Sequence, residues 1–301
     1  MSILSAEHFH DEAKAYDFVE ALIWPEGPVC PHCMEKARVS KMKGKSTRIG
    51  TYKCYACRKP FTVKIGSIFE ASHIPMRIWL QAIFLLSSSK KGMSSNQLHR
   101  ALGVTLKSAW FMSHRIREAM RSGSLAPMGG GGGIVEVDET FIGKTVQAPK
   151  IVGGYAHKNA VLTLVSREGE ARSFHIDQAN QENIIPIIRR NLASEAKVVT
   201  DDAGYYRNLD KEYMHAFVNH SAGQYGRGII HTNTIEGYFS IFKRGMKGVS
   251  QHCSEKHLHR YLAEFDFRYS NRVKLGVNDE ARATRAIKGA PGKRLTYREA
   301  I

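Results

Sequence analysis

The chain has 301 residues, of which 43% are hydrophobic and 24% are charged. This is the composition of an ordinary folded protein, and no segment approaches the roughly 18 to 20 successive apolar residues that a membrane span needs. Collagens, membrane proteins and wholly disordered chains are therefore excluded. We also expect no secretory signal, because the first residues carry early acids and no apolar core.

The positive charge is confined to one region of the chain. Lys and Arg total 44 against 28 Asp and Glu, a net charge of +16. Residues 36–121 hold 18 of the bases and only two acids, so the rest of the chain is neutral. A merely soluble basic protein would spread its charge more evenly. A basic region of this density predicts a polyanionic partner, with nucleic acid the leading candidate.

A short amphipathic helix is predicted first, and a cysteine-bearing segment follows it. Cys30-Pro-His-Cys33 and Cys54-Tyr-Ala-Cys57 give the spacing C-x2-C-x20-C-x2-C. Two such pairs supply the four sulfurs of a tetrahedral Zn²⁺ site, in which His32 would face away. The alternatives are four reduced structural cysteines or one redox C-x-x-C, but a redox motif needs no second copy. We predict one structural zinc ion in a reducing compartment.

Residues 94–117 have the pattern of a helix-turn-helix. Ser94 or Ser95 caps a short helix, Gly103 permits a tight turn, and Thr105 caps the second helix. The face of the second helix opposite its apolar side carries Lys107, Ser108, Phe111, His114 and Arg115. A basic, polar outward face suits reading of the DNA major groove, whereas the alternative is a plain helical hairpin. We predict that all of these residues except Ser108 contact DNA.

Five consecutive glycines, Gly129–Gly133, divide the chain. They cannot sustain a helix or strand, so we expect a flexible linker at a domain boundary. A phosphate-binding loop is the alternative, but no Lys-Ser/Thr follows as in a P-loop. Strands are predicted over Ile134–Asp138, Ala160–Val165, Arg172–Ile176 and Lys197–Thr200. Helices are predicted over Asn183–Leu192, Thr234–Met246 and Glu255–Tyr269, which is typical of an α/β layered domain.

Three acids at the ends of predicted elements are candidates for catalysis. Asp138 ends the first of these strands, Asp201 follows the last, and Glu236 opens the next helix. Carboxylates placed in this way can converge on two hard divalent cations, as two-metal phosphoryl transfer requires. Each has a structural alternative, since Asp201 is also typical of a turn and Glu236 of a capping box begun by Asn233.

Other polar residues accompany the three acids. Glu136 and Glu139 flank Asp138 and compete with it, and Glu136 shares its face of the strand. His231 and Asn233 are placed to support the active site or touch the scissile strand, although Asn233 also suits a purely structural cap. The residues suited to holding DNA phosphates on the helix beyond Glu236 are Lys243, Arg244 and Lys247. Their alternative is an ordinary solvated face.

The order zinc ribbon, helix-turn-helix and then D, D, 34 residues, E resembles the DDE transposases of bacterial insertion sequences, specifically the ISXO-like group. The matching segments are Val135–Gly143, Val199–Asp201, His231–Ser240, Lys243–Gly248 and Tyr261–Tyr269. The resemblance implies an RNase H-like catalytic domain in which Asp138, Asp201 and Glu236 are the catalytic acids. It also implies a divalent metal, Mg²⁺ or Mn²⁺, and movement of an element between inverted repeats. The glycine run departs from the family pattern.

We therefore expect an α/β protein in which an RNase H-like catalytic domain is preceded by a zinc ribbon and a helix-turn-helix. The expected segments are an N-terminal helix (1–26), a zinc ribbon (27–70), a helix-turn-helix region (71–125), a Gly-rich linker (126–133), the catalytic domain (134–275) and a loosely ordered basic tail (276–301).

The expected function is that of a DNA transposase, with Asp138 and Asp201 bridging two Mg²⁺ ions and Glu236 holding one of them. Its partners would be the terminal inverted repeats and the target DNA, with no membrane. We expect a homodimer or larger assembly on DNA in the bacterial cytoplasm, at the nucleoid. Two alternatives remain: a nuclease of the same fold that never joins strands, and a non-catalytic zinc and helix-turn-helix regulator.

Overall fold

The computed structural model describes residues 3–121, 123, 125–145, 155, 157–219, 222 and 228–296. The chain divides into two compact units. The first unit takes in Met1–Ser89, Met93–Arg121 and Val277–Ile301, and the second takes in Lys90–Gly92 and Ser122–Gly276. None of the helices in the described ranges is long and apolar enough to cross a membrane.

The regular elements number as follows within those ranges. The α-helices are α1 (Glu12–Ile23), α2 (Met76–Ser88), α3 (Ser95–Leu102), α4 (Leu106–Met120), α5 (Gln181–Asn191), α6 (Asn233–Gly248), α7 (Leu258–Ser270) and α8 (Asp279–Lys288). The strands are β1 (Val39–Lys41), β2 (Tyr52–Cys54), β3 (Pro60–Phe61), β4 (Ile134–Ile142), β5 (Asn159–Ser166), β6 (Ala171–Ile176), β7 (Lys197–Asp201) and β8 (Met214–Val218).

A small antiparallel sheet, β1-β2-β3, lies beside the cysteine pairs in the first unit. Its core is limited to cysteines and a few side chains such as Tyr52 and Phe61. Glu20 of α1 accepts hydrogen bonds from the Tyr52 hydroxyl at 2.7 Å and from Lys41 Nζ at 3.1 Å. The predicted N-terminal helix is thus fastened to the sheet. So small an apolar core needs a further source of stability, such as a bound metal.

The caps and the turn predicted for the helix-turn-helix are confirmed. The Ser94 hydroxyl accepts a hydrogen bond from the Gln97 backbone N–H at 3.2 Å, and the Gln97 side chain accepts one from the Ser94 N–H at 3.1 Å. Gly103 ends α3 in the left-handed conformation with φ 65°. The Thr105 side chain then caps α4. These local signals start and stop two short helices at defined residues.

The segment expected to be a loosely ordered tail is instead partly helical, and that expectation is wrong. Asn278 caps α8 by accepting a hydrogen bond from the Ala281 N–H at 2.8 Å. The Arg282 guanidinium donates to the Ser87 carbonyl at the end of α2, at 2.9 Å. The segment carries more basic than acidic residues, yet Ala283, Ala286 and Ile287 form a narrow stripe that is buried in the first unit.

The second unit is built on a five-stranded sheet in the order β6-β5-β4-β7-β8. Strands β4, β5 and β6 form an antiparallel meander, and β7 and β8 run parallel to β4. This mixed order, with α5 crossing from β6 to β7, is the RNase H-like arrangement that was expected. The strand β8 was not predicted, because its sequence, Met-His-Ala-Phe-Val, has no clear alternation.

Helices cover both faces of this sheet. On one face, α5 packs on Val135 and Val137 of β4 and on Leu162 and Leu164 of β5. On the other face, α6 and α7 pack on alternate residues of β5 such as Val161. Because side chains alternate along a strand, the even-numbered residues of β4 face α6 and α7. The sequence therefore places Glu136 and Asp138 on the side of the sheet where Glu236 lies.

The glycine run is a packed turn and not the flexible linker that was expected. Gly129 has a left-handed φ of 76°, and a Cβ there would lie 2.6 Å from the Cβ of Ala196. The Gly133 N–H donates to the Gly129 carbonyl, and the Gly133 carbonyl accepts from the Lys197 N–H, both at 3.0 Å. Glycine is required here by close backbone approach and by the turn itself. The turn leads directly into β4 beside β7.

Candidate catalytic site and metal centre

The four cysteines converge as a zinc site requires. The sulfurs of Cys30 and Cys57 are 3.7 Å apart, and those of Cys33 and Cys54 are 3.6 Å apart. All four lie within 4.8 Å of one another. Four sulfurs each about 2.3 Å from one central ion would be about 3.8 Å apart, so the cluster has the dimensions of a tetrahedral Zn²⁺ site. No fifth position is offered to a substrate, which makes this site structural.

Strands β4 and β7 place the first two candidate acids side by side. Their parallel register pairs Glu136 with Val199, and continuing it by two residues brings Asp138 alongside Asp201. Residues in register on neighbouring strands project from the same face of a sheet. Asp138 lies in the middle of β4 and not at its end as expected, because the strand continues to Ile142, whereas Asp201 is the last residue of β7; both acids are partly exposed. The Ala203 N–H donates to Asp201 Oδ1 at 3.1 Å and begins the turn beyond β7.

The third acid lies in the first turn of α6. Glu236 is exposed, on a helix whose opposite side buries Ile235, Phe239 and Phe242 against the sheet. The Thr232 hydroxyl donates to Glu236 Oε1 at 3.2 Å. Asn233, offered as the start of a capping box, is instead the first residue of the helix, and Thr232 precedes it. The helical cap is therefore not the role of the Asn233 side chain.

The electrostatics show that these acids influence one another. Burial and the negative charge of Asp201 raise the pKa of the Asp138 carboxyl from 3.8 to about 7. Glu236 acts in the same direction, whereas the positive charge of Lys243 lowers this pKa. Negative charges that destabilise one another are relieved by a cation, and carboxylate oxygens are the ligands that Mg²⁺ and Mn²⁺ prefer.

The three carboxylates are therefore ligands of the chemical type that binds a hard divalent cation. Among the described residues, the four cysteines are the one group of three or more possible ligands whose atoms lie close enough to hold a single ion. Asp138, Asp201 and Glu236 are not drawn together to that degree. Their carboxylates are assembled on one face of the second unit by β4, β7 and α6.

Glu136 has a different environment from Asp138, although it lies on the same face of β4. Its side chain is fully buried and forms an ion pair with Arg167, whose Nε is 2.9 Å from Oε1. Oε1 also accepts a hydrogen bond from the Thr234 hydroxyl at 2.8 Å. Oε2 accepts from the backbone N–H groups of Thr234 and Ile235, each at 2.9 Å. Glu136 thus caps the N-terminus of α6 from a neighbouring strand.

Arg167 was missed in the sequence, and no local signal could have found it. It lies 31 residues from Glu136 and 64 from His231, and only the turn after β5 brings the three together. Its Nη2 donates to the His231 carbonyl at 3.0 Å, and His231 Nδ1 lies 3.4 Å from Glu136 Oε1. The structure thus places His231 beside Glu136 at the start of α6.

Glu139, the other competitor of Asp138, points to the opposite face of the sheet. Its carboxylate accepts a hydrogen bond from the hydroxyl of Tyr206, which is buried in the core beside α5. Burial is the main cause that raises the pKa of Glu139 to about 8, and the charges of Asp138 and Asp201 add to it. Glu139 is therefore bound to Tyr206 and faces away from Glu236.

Three basic residues follow Glu236 along α6, and all are exposed: Lys243, Arg244 and Lys247. Lys243 and Lys247 follow Glu236 by seven and eleven residues, so they share its helix face. Lys243 is also close enough to lower the pKa of Asp138, as described above. This face extends about 16 Å along the helix axis from Glu236 to Lys247, so it joins the acid site to the basic residues.

Two residues predicted to face DNA are instead buried in the first unit. His114 is 1% exposed and Arg115 is 5% exposed. The Arg115 guanidinium donates to the carbonyls of Ile68 at 2.8 Å, Glu70 at 2.7 Å and Leu295 at 3.2 Å. The prediction of an outward face is wrong for both residues, because α4 packs against α2, α3 and α8 together. The periodicity of α4 alone does not reveal α8.

The other two residues predicted to contact DNA, Lys107 and Phe111, lie in the first two turns of α4, which are more exposed. Lys107 is exposed, and Phe111 is half-buried. The Phe111 ring lies 4.5 Å from the Arg115 guanidinium carbon, so one of its faces is covered. The surface of α4 that remains available to a ligand is therefore its first two turns.

Comparison with known proteins gives matches over both units. Residues 131–270 match the ISXO2-like transposase domain, and residues 10–60 match the transposase zinc-ribbon domain. A Halobacterium salinarum protein, described as an uncharacterized protein in transposable element ISH50, is 26% identical over 280 residues. That alignment covers 86% of this chain and 91% of the relative.

One solved structure, a pre-cleavage Mos1 transpososome, is a more distant match. It is 13% identical with a TM-score of 0.29, over 69% of this chain and 73% of its own. At this distance the likeness adds nothing to the argument from strand order and register.

Proposed function

We propose that the chain cuts and joins DNA strands at the ends of an insertion sequence, because residues 131–270 match the ISXO2-like transposase domain and residues 10–60 match the transposase zinc-ribbon domain. The observation that supports this most is the placement of Asp138 and Asp201 in register on adjacent parallel strands, on the sheet face that α6 covers. Glu236 lies in the first turn of that helix, so three carboxylates from three elements share one face.

The three acids are proposed to hold two Mg²⁺ or Mn²⁺ ions. Asp138, Asp201 and Glu236 would together supply the carboxylate ligands of these ions. When bound, such ions activate the attacking water or 3′-hydroxyl and stabilise the leaving oxygen. Burial and the negative charge of Asp201 raise the pKa of Asp138 to about 7, so a bound cation would favour its charged form.

The basic residues are proposed to hold DNA. Lys243, Arg244 and Lys247 extend from the acid site along α6 and would contact phosphates near the scissile bond. Lys107 and Phe111, at the open end of α4, would contact the terminal repeat. His231 would support the site through Glu136. We further propose that the active form is a homodimer or larger assembly, since an element has two ends to be brought together.

The cysteine cluster is proposed to hold one Zn²⁺ ion, which replaces the apolar core that the small sheet lacks. This ion would not take part in strand cleavage, because four thiolates close its coordination shell.

The test of the proposed function is a nicking and joining assay on a labelled element end with Mg²⁺. We expect wild type to nick and then join, and Asp138→Asn, Asp201→Asn and Glu236→Gln each to abolish both steps while end binding persists. The amide keeps the shape but loses the charge that holds the cation. Asp202→Asn is the matched control, because Asp202 is the exposed neighbour of Asp201.

The same assay separates the alternatives. Nicking without joining would assign the chain to a nuclease of the same fold. End binding without any nicking would assign it to the non-catalytic regulators. Wild-type activity in Glu236→Gln would remove that residue from the site.

A further inference from the structure

Glu136 is a buried carboxylate to which the proposed reaction assigns no direct role. Its side chain is completely buried, and it lies two residues before Asp138 on the same face of β4. A buried carboxylate costs several kcal/mol of desolvation unless it is paired and hydrogen-bonded. A protein that needed only stability at this position would be served as well by an apolar residue. The cost therefore calls for a structural or chemical reason.

Direct metal binding by Glu136 does not fit its contacts. A carboxylate offers about four lone-pair positions. Arg167 Nε and the Thr234 hydroxyl occupy two on Oε1, and the N–H groups of Thr234 and Ile235 occupy two on Oε2. The carboxylate has no position left for a cation, so it cannot substitute for Asp138 as a ligand.

These contacts instead join the elements that carry the first and third acids. The strand β4 rises about 3.4 Å per residue, so Asp138 lies about 7 Å from Glu136 along the strand. Glu136 accepts a hydrogen bond from the Ile235 N–H, and Glu236 is the next residue along the helix. The Thr232 side chain provides no cap for α6, because its hydroxyl donates to Glu236. The positive end of the α6 dipole is therefore held by a carboxylate from β4.

We propose that Glu136 is a positioning residue that sets Glu236 at its working distance from Asp138, and that its loss weakens divalent-metal binding although every metal ligand remains. The inference rests on the proposed function of the three acids. Residues that orient metal ligands without touching the metal typically contribute 10- to 100-fold in metal affinity. A displacement of about 1 Å in such a site has effects of that size on the reaction as well.

The experiment is a calorimetric titration of the zinc-loaded full chain with Mn²⁺, at a temperature where all variants are folded. We expect Glu136→Gln to bind Mn²⁺ roughly 10- to 100-fold more weakly than wild type. The new amide NH₂ has the shape of the lost oxygen, but in one orientation it faces the N–H groups of α6 and in the other it faces the Arg167 guanidinium, so a donor loses its acceptor in either case. Nicking should require correspondingly more metal, while binding of the labelled element end is unchanged.

Asp266→Asn is the matched control. Asp266 also links α6 to the sheet, since it accepts hydrogen bonds from the Tyr238 hydroxyl at 2.6 Å and from the Ser173 N–H at 2.7 Å. It does not touch the first turn of α6. We expect this variant to bind Mn²⁺ like wild type although a contact of α6 is altered, so a general disturbance of the fold is separated from mispositioning.

A second variant covers the case in which Glu136→Gln does not fold. Thr234→Val removes one of the four hydrogen bonds and should weaken Mn²⁺ binding several-fold. If whichever of the two variants folds binds Mn²⁺ with wild-type affinity, this inference is overturned and the proposed function is not affected. A wild-type protein that binds no Mn²⁺ and cuts no DNA would overturn the proposed function, and the inference with it.

Discussion

The acid site should destabilise the metal-free protein, and removing Asp138 should therefore stabilise it. In the folded chain the pKa of this carboxyl is about 7, whereas the ordinary value of 3.8 applies to the unfolded chain. Because the folded pKa is raised, the folded state binds the proton more tightly than the unfolded state. The contribution of Asp138 to stability is thus greatest below pH 3.8 and is lost as the pH rises to about 7.

The magnitude follows from these two values. Each unit of pKa is worth about 1.4 kcal/mol, so the charge of Asp138 costs the folded protein up to about 4 kcal/mol at pH 8 and about 1.6 kcal/mol at pH 5. We expect Asp138→Asn to exceed wild type in free energy of unfolding by an amount that grows between these two pH values. Added Mg²⁺ should narrow the difference, because the cation binds only the wild-type site.

The assay is urea unfolding of the zinc-loaded full chain without added Mg²⁺, followed by circular dichroism. Fluorescence is unsuitable because the three tryptophans, Trp24, Trp79 and Trp110, all lie in the first unit. Asp202→Asn, at an exposed position, should retain the wild-type pH dependence. A difference between Asp138→Asn and wild type that is the same at pH 5 and pH 8 would refute the reasoning.

Three further outcomes follow from the structure. Cys30→Ser should release the zinc, about one ion per chain by elemental analysis, and unfold the small sheet; a metal-free protein with that sheet intact would contradict the assignment. Lys107→Ala should weaken binding to element-end DNA and reduce the slope of its salt dependence by about 1, whereas Arg115→Ala should lower the melting temperature through lost carbonyl contacts. Gly129→Ala should destabilise the second unit by about 1–3 kcal/mol in thermal unfolding, because its Cβ would collide with Ala196 and its φ is positive.

The features that could be predicted from sequence are those with a local cause. Ser94, Gly103 and Thr105 cap or end helices by contacts within a few residues, and the prediction of these positions is confirmed. The C-x-x-C spacing of each cysteine pair brings its two sulfurs close together without help from distant residues. Glu136 could be assigned to the face of Asp138 from strand alternation alone, but its bonds to α6 could not, because they span about 98 residues.

The failures have a common physical origin in contacts between distant segments. His114 and Arg115 have the polarity of surface residues, and they are buried because α4 packs against α2, α3 and α8, of which α8 comes from a distant part of the chain. The glycine run has the composition of a linker, yet its shape is set by Ala196 and Lys197 at the start of β7. No pattern within either segment contains that information.

The division of the first unit between the two ends of the chain has a consequence for how the protein is made. Residues 277–301 belong with the first 121 residues, and the whole DDE domain lies between them in sequence. During translation the first unit cannot gain α8 until all the strands of the second unit have been made. The RNase H-like sheet therefore emerges from the ribosome and can fold while its partner unit is still incomplete. A polypeptide that stops before Asp279 lacks α8 and therefore lacks part of the first unit, even though its five-stranded sheet is complete.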